Sequence, residues 1–339
     1  MNTMMAREIA AQSGILAAVR AELAMRADAI PPATGRILAG GCGDSIFAPR
    51  ALGGVFDALG VPVIAATSMT LAGYTRFAPS DTVILTSISG STKRTVEAAR
   101  AAAGAGASVI AVTCKGGSPL AQAASETIIL PFEPLSRKTP HTLDYAMTLL
   151  ALVELARRFA GEPADATRST IGKIPALLES AAQSASKAAL AHDGRAKLFI
   201  LGGGPDLGTA EYGAAKFHEA GGLIAIAVET ENFVHGMNFM VEPEDTIVAL
   251  GGSAMGHRRG TEVIEAFAGW LKNAWLYPPA PPPALAWTEV FETVLDQTFF
   301  LQHLCLAVSD ALGLPLEEPR AGRTYGAEHL AIQSRIMAT

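Results

Sequence analysis

Four hydroxyls and a glycine fall within six positions, Ser87-Ile88-Ser89-Gly90-Ser91-Thr92. An apolar run, Thr82-Val83-Ile84-Leu85, precedes them, and an Ala-rich stretch of helical composition, Val96 to Ala103, follows. The spacing predicts a strand that ends in this loop and a helix that begins from it. Backbone N–H groups at a helix N-terminus, joined by Ser and Thr side chains, suit a phosphate dianion. A plain helix cap needs only one such hydroxyl. The surplus here points to an anion, with a capped turn as the simpler alternative.

A second concentration of reactive types lies further on. Lys216, His218, Glu219, Glu229, Glu231 and His235 fall within twenty residues of a sparsely charged chain. Lys216 and Glu219 are three apart on a predicted helix and share a face. Taken alone, such a pair is an ordinary ion pair on a solvated surface, and His235 alone is a hydrogen-bonded structural histidine. Taken together, a carboxylate, an amine and an imidazole supply what a proton transfer between adjacent carbons needs: a base that also donates, a carbonyl partner, and a group titrating near neutrality. His218 beside Glu219 does not form a His-Glu-x-x-His pattern, so no metal is expected.

The elements that must position these residues alternate along the chain. Ile37 to Gly40, Val61 to Ala66, Thr82 to Thr86, Ser108 to Thr113 and Thr127 to Leu130 read as five apolar strands separated by helical stretches. One helix is expected from the Gly41–Ser45 turn to about Gly60, and another over Leu143 to Ala160. Strands apolar on both faces imply a parallel sheet with helices on either side. The length, 339 residues, suits two domains. Half of the residues are apolar and 17% are charged, enough for a large core. A formal charge of −6 and a pI near 5.7 disfavour a nucleic-acid partner. Three scattered cysteines disfavour a disulfide framework or a Cys-rich zinc site. Met1 to Met25 reads as an amphipathic helix rather than a leader, and no apolar stretch is long enough to span a bilayer. A cytoplasmic protein without membrane association is expected.

The second half repeats the first. Leu38-Ala39-Gly40-Gly41-Cys42-Gly43-Asp44 is echoed by Ile200-Leu201-Gly202-Gly203-Gly204-Pro205-Asp206, and Pro79 to Ile84 by Pro243 to Val248. The offsets, 162 and 164 residues, nearly agree, which argues for a duplicated domain. In the second copy the hydroxyl loop has become Gly251-Gly252-Ser253-Ala254-Met255-Gly256. Anion anchoring is therefore expected in the first copy alone. The expected division is a helical segment 1–33, a first domain 34–162 and a second domain 163–339.

Ser87-x-Ser89-Gly90-x-Thr92 after a strand, Gly43-Asp44-Ser45 after an earlier one, and the tandem copies resemble the sugar isomerase (SIS) family. The resemblance runs from about Thr34 to Arg323. It is nearest to the two-domain members, which include the isomerase half of glutamine–fructose-6-phosphate transaminase, aminosugar-phosphate deaminases and fructosamine-phosphate deglycases. It implies two tandem doubly wound, flavodoxin-like α/β domains, no cofactor, and a phosphorylated sugar or aminosugar as ligand. The phosphate would lie on Ser45, Ser87, Ser89, Gly90, Ser91 and Thr92, with Gly43, Thr139 and Arg323 as further contacts. The family's Lys-x-x-Glu, followed sixteen residues later by His-Gly, is matched by Lys216 to Glu219 and His235-Gly236. By resemblance Glu219 moves a proton between the first two sugar carbons, and His235 assists ring opening. Lys216 would hold the open-chain sugar or form a Schiff base with it. The family's histidine reaches the partner subunit's site, which implies a homodimer. A phosphosugar isomerase, coupled or not to deamination or deglycation, is the leading expectation, and a non-catalytic phosphosugar sensor the alternative.

Three departures are visible. No glutaminase-type domain precedes the repeats, so glutamine-dependent amination is not expected. Pro140-His141 stands where relatives carry a basic residue after Thr139. Pro319-Arg320-Ala321-Gly322-Arg323-Thr324 places Thr where transaminases carry a sugar-contacting Lys. Elsewhere, Pro278 to Pro283 reads as a connector in place of a strand, and Trp287 to Leu312 as a long helix of the core or dimer interface. His257-Arg258-Arg259 reads as a solvated basic cluster, and Asp44 and Asp206 as turn residues.

Overall fold

A computed structural model describes residues 3–136, 140–189, 196–282, 286–318 and 324–338. The first copy holds β1 (Ile37–Gly41), β2 (Val63–Thr67), β3 (Thr82–Thr86), β4 (Ser108–Thr113) and β5 (Glu126–Ile129). They form one parallel sheet in the order β2-β1-β3-β4-β5, with Ile37 opposite Thr82 and Thr82 opposite Ser108. Every residue of β1 and β3 is buried, so the apolar runs have helices on both faces. The single helix expected before Gly60 is two, α2 (Asp44–Ala51) and α3 (Gly53–Ala58), broken at Leu52. Pro49 lies at the end of α2; its missing N–H removes a bond from the last turn. Then follow α4 (Ser68–Tyr74), α5 (Lys93–Gly104), α6 (Pro119–Ala123) and α7 (Leu143–Ala160).

The second copy holds β6 (Leu198–Gly202), β7 (Ala225–Glu229), β8 (Thr246–Leu250) and β9 (Asn273–Tyr277), paired in parallel as β7-β6-β8-β9. Among the described residues no strand is the counterpart of β5, and the Pro-rich connector starts where β9 ends. Proline lacks the ladder donor, so a strand cannot continue there. Helices α9 (Asp206–Gly221), α10 (Thr230–Val234) and α11 (Ala254–Ala266) cover this sheet.

Four long helices pack in two pairs. At the N-terminus, α1 (Met4–Asp28) packs on α7, and α8 (Arg168–Ala189) packs on α12 (Trp287–Ala311). Residues Leu143 to Arg157 of α7 are all buried, which places this helix inside the core rather than on it. Contact between the copies is made chiefly by α2 against α9. Gly208 makes this approach feasible: a Cβ there would stand 2.2 Å from the Ala51 amide nitrogen. The C-terminal helix α13 (Gly326–Ala338) is exposed along its described length. Among the described residues, no helix is long and apolar enough to cross a membrane.

Candidate active site

In each sheet the strand order reverses between two adjacent strands, β1 and β3 in the first copy, β6 and β8 in the second. Crevices at such points, beyond the carboxyl ends of the strands, are where open α/β sheets hold ligands. The first crevice is flanked by Gly41–Ser45 after β1 and by Ser87–Thr92 after β3. In the second of these loops the hydroxyls bond one another. Ser87 Oγ lies 2.9 Å from Thr92 Oγ1 and accepts the Gly90 N–H at 3.1 Å, and Ser91 Oγ donates to Ser89 Oγ at 2.9 Å. Gly90 has φ +64°, and a Cβ there would strike Ser118 Oγ at 2.1 Å. No other residue fits this turn. Thr92 stands at the N-cap of α5, yet its side chain makes no capping bond, so its hydroxyl is turned to Ser87 instead.

Lys216 is not on a solvated face. It is fully buried, and its Nζ lies 2.8 Å from both Glu219 Oε2 and Asp44 Oδ2. The surface-pair reading of Lys216 and Glu219 therefore fails, as does the reading of Asp44 as a turn residue only. Asp44 opens α2 in the first copy and reaches across to α9 in the second, so this ion pair spans the junction between them. Burial drives an amine towards its neutral form. Here the two carboxylates outweigh burial, and Lys216 is held above the usual lysine range. Glu219 is pushed up by burial, opposed by Lys216 and reinforced by the negative Asp44. The Lys216 ammonium also lies 5.1 Å from the centre of the Tyr212 ring.

A second charged group adjoins the first. Glu8, on α1 and only 1% exposed, accepts bonds from the Thr142 N–H, the Thr142 hydroxyl and the Leu143 N–H at 2.7, 3.1 and 3.3 Å. These are donors at the N-terminus of α7, and they fix the carboxylate. Burial opposes the charge on Glu8, and His141 with these donors outweighs it, leaving Glu8 below the usual range. His141 Nδ1 stands 3.9 Å from Glu8 Oε1 and 3.7 Å from Asp144 Oδ2. Asp144 is pushed up to about 6 by burial, against the pull of His141. The two groups are tied through Tyr212, whose hydroxyl donates to the His141 carbonyl at 3.4 Å and accepts from Gln302 at 3.0 Å. Gln12 donates in turn to Gln302 at 2.7 Å, and Tyr145 stacks on Tyr212 at 3.7 Å. Among the described residues, no group of three His, Cys, Asp or Glu side chains has the geometry of a metal site.

The second crevice differs. Asp206, the counterpart of Asp44, turns into its own crevice and accepts the Gly252 N–H at 2.8 Å. It is no turn residue: it is 8% exposed, and burial raises it to about 6. A Cβ on Gly252 would meet Asp206 Oδ1 at 2.2 Å.

Other sequence-derived candidates are placed less centrally. His235 follows α10 and is 80% exposed, 3.9 Å from Glu231 and without an ion pair to Asp44 or Glu219 within this chain. Thr139 and Arg323 lie outside the described residues. Ser45 and Gly43 flank the first crevice, at the start of α2. Of the basic cluster, Arg258 is exposed as expected, whereas Arg259 pairs with Glu231 and Glu262. Glu8, Asp144 and Tyr212 escaped the sequence reading of the site, in which His141 stood only as a replacement for a basic residue. Tyr212 lies one helical turn before Lys216, and that spacing was the one available signal.

The SIS domain family matches residues 33–156 and 192–259, more than half of the chain. The chain belongs to the SIS family. Among curated proteins, the isomerizing glutamine–fructose-6-phosphate aminotransferase of Aeropyrum pernix is 31% identical over 235 residues, 65% of this chain and 37% of that protein. Its Clostridium acetobutylicum counterpart is 30% identical over 179 residues, 50% of this chain and 29% of that one. The matches thus span 37% and 29% of these relatives' lengths. Three solved structures share the tandem SIS fold. Glucosamine-6-phosphate deaminase of Thermotoga maritima has a TM-score of 0.78 at 18% identity, covering 94% of this chain and 97% of its own. The C-terminal domain of glucosamine-fructose-6-phosphate aminotransferase from Francisella tularensis gives 0.75 at 16%, covering 94% and 99%. Tagatose-6-phosphate ketose/aldose isomerase of Escherichia coli gives 0.72 at 18%, covering 92% and 94%.

Proposed function

We propose that this SIS protein is an aldose–ketose isomerase of a sugar or aminosugar phosphate. The supporting observation is the Asp44–Lys216–Glu219 bridge about a buried Lys216, whose Asp44 opens α2 at the loop flanking the first crevice, across from the hydroxyl loop that precedes α5. In this reading the phosphate dianion takes the Ser87, Ser89, Gly90, Ser91 and Thr92 loop, with Ser45 opposite. That remote contact positions the reacting carbons. Glu219, with its pKa raised and its side chain 30% exposed, takes the proton from carbon 2 and returns it to carbon 1. Lys216 stays an ammonium and stabilises the enediolate by charge. A Schiff base needs the free amine, which two carboxylates at 2.8 Å oppose. With an amine on carbon 2, the same proton shift leaves a carbon–nitrogen double bond that water hydrolyses to a ketone and ammonia. His235, exposed here, is assigned to ring opening in the cleft of a partner within a homodimer.

The bridge also clamps the two copies together, which suits a phosphosugar sensor as the second reading. Incubation with fructose 6-phosphate, glucose 6-phosphate or glucosamine 6-phosphate in deuterated water separates the two. Deuterium on carbon 1 or 2, or ammonia release, supports the enzyme. Binding without either supports the sensor.

A further inference from the structure

Moving a sugar carbonyl from carbon 1 to carbon 2 relocates two protons, one between carbons and one between oxygens. The carbon proton has a carrier in Glu219. The oxygen proton needs a group that exists in both protonation states near neutrality. Lys216 does not qualify, because both neighbouring carboxylates hold it as an ammonium. His141 does. Its side chain is 23% exposed, and Nδ1 faces two carboxylates, from Glu8 on α1 and Asp144 on α7. At 3.9 and 3.7 Å the two carboxylates favour the protonated ring, and in the imidazolium both nitrogens carry a proton, so Nε2 has one to exchange with a ligand. Burial lowers the imidazole pKa, and the Glu8 and Asp144 charges reverse this to leave it raised, against a smaller opposing effect of Lys216. Tyr212 links this residue to the bridge: its hydroxyl donates to the His141 carbonyl at 3.4 Å, and its ring centre lies 5.1 Å from Lys216 Nζ.

We propose that His141 carries the proton between the two substrate oxygens, with Glu8 as its positioning residue. This rests on the isomerase reading above. As Glu219 takes the carbon-2 proton, the carbon–hydrogen pair forms the enediol double bond and the carbonyl pair moves onto oxygen 1, which takes the Nε2 proton of the imidazolium. The oxygen-2 proton then returns to Nε2 as the ketone forms at carbon 2, and Glu219 delivers its proton to carbon 1. Nothing is oxidised or reduced, and both groups end as they began.

The test is turnover of fructose 6-phosphate and glucosamine 6-phosphate by the wild type, His141→Ala, His141→Gln and Glu8→Gln. Loss of a general acid–base group predicts a fall in kcat of about 10²–10⁴-fold in both His141 variants, with little change in KM. Added imidazole is expected to restore part of it in the alanine variant. Glu8→Gln retains the imidazole but removes an anion that raises its pKa, so the alkaline limb of the kcat profile moves to lower pH. Wild-type kcat in both His141 variants overturns the inference alone. So does a loss of kcat without imidazole rescue and with an unmoved limb in Glu8→Gln. A wild type that turns over neither sugar overturns the isomerase reading and this inference with it.

Discussion

Asp44 and Asp206 occupy the same place in the two copies, each the first residue of the helix after the copy's first strand. They do opposite things. Asp206 bends into its own crevice, bonds the Gly252 N–H and is sealed there beneath Gln297 and Gly256. Asp44 turns out of its crevice and bonds Lys216 of the other copy. The loop opposite Asp206 keeps a single hydroxyl, Ser253, which caps α11, and the carboxylate of Asp206 satisfies the Gly252 N–H. The loop opposite Asp44 keeps Ser87, Ser89, Ser91 and Thr92, which bond one another. In the proposed reading one copy is left to anchor an anion, while the other closes its crevice with a carboxylate of its own. Lys216 of the closed copy reaches Asp44 of the open one, with Glu219 beside it.

The largest effect that sharpens this contrast is on ligand affinity. The Ser87→Ala/Thr92→Ala double variant is expected to weaken binding of glucose 6-phosphate by about 100-fold or more, since a hydrogen bond to a charged group is worth about 1.5–3 kcal/mol. Ser253→Ala, the residue capping α11 in the second loop, leaves that affinity unchanged. Isothermal titration measures both, and equal losses would erase the distinction between the loops.

Asp206 gives the next effect, in stability. Its pKa is raised from 3.8 to about 6 in the folded protein. Between about pH 4 and 6 the folded state therefore holds a proton the unfolded state has lost, and stability falls as pH rises through that window. The shift corresponds to roughly 3 kcal/mol at neutral pH. Asp206→Asn still offers an acceptor to Gly252, so it is expected to flatten the decline in denaturant midpoint between pH 4 and 6. An unchanged decline would mean that Asp206 is not sealed.

The smallest expected effect is that of Gly252→Ala. Its methyl group meets the Asp206 carboxylate, and overpacking of this kind costs about 1–3 kcal/mol. A lowered melting temperature with unchanged affinity for glucose 6-phosphate is the expected result.

Much of this was legible in the sequence because it depends on local pattern. The runs Thr82 to Thr86 and Ser108 to Thr113 became β3 and β4 with those bounds, and Leu143 to Ala160 became α7. Fully apolar strands with glycine or hydroxyl loops at their ends leave few arrangements open. The loss of hydroxyls at Gly251 to Gly256, and the proline run after Tyr277, announced the simpler second copy. What the pattern concealed are contacts between residues far apart in the chain. A Lys-x-x-Glu on a helix reads the same whether the helix face is solvated or buried, and only the approach of α2 onto α9 decides for Lys216. Glu8 looks like one charge on an amphipathic helix until α1 lies on α7 and the carboxylate meets the Thr142 amide. The direction of an Asp side chain at a turn is likewise set by its neighbours, so Asp44 and Asp206 looked alike.

The most direct test of the account is proton exchange at the sugar carbons. Wild type and Glu219→Gln are incubated with fructose 6-phosphate in deuterated water, and deuterium on carbon 1 is followed by proton NMR. The account predicts incorporation by the wild type and a loss of about 10²–10⁴-fold in the variant, with binding of the sugar retained in both. Sugar binding by the wild type without incorporation, or equal incorporation by the two proteins, would contradict it.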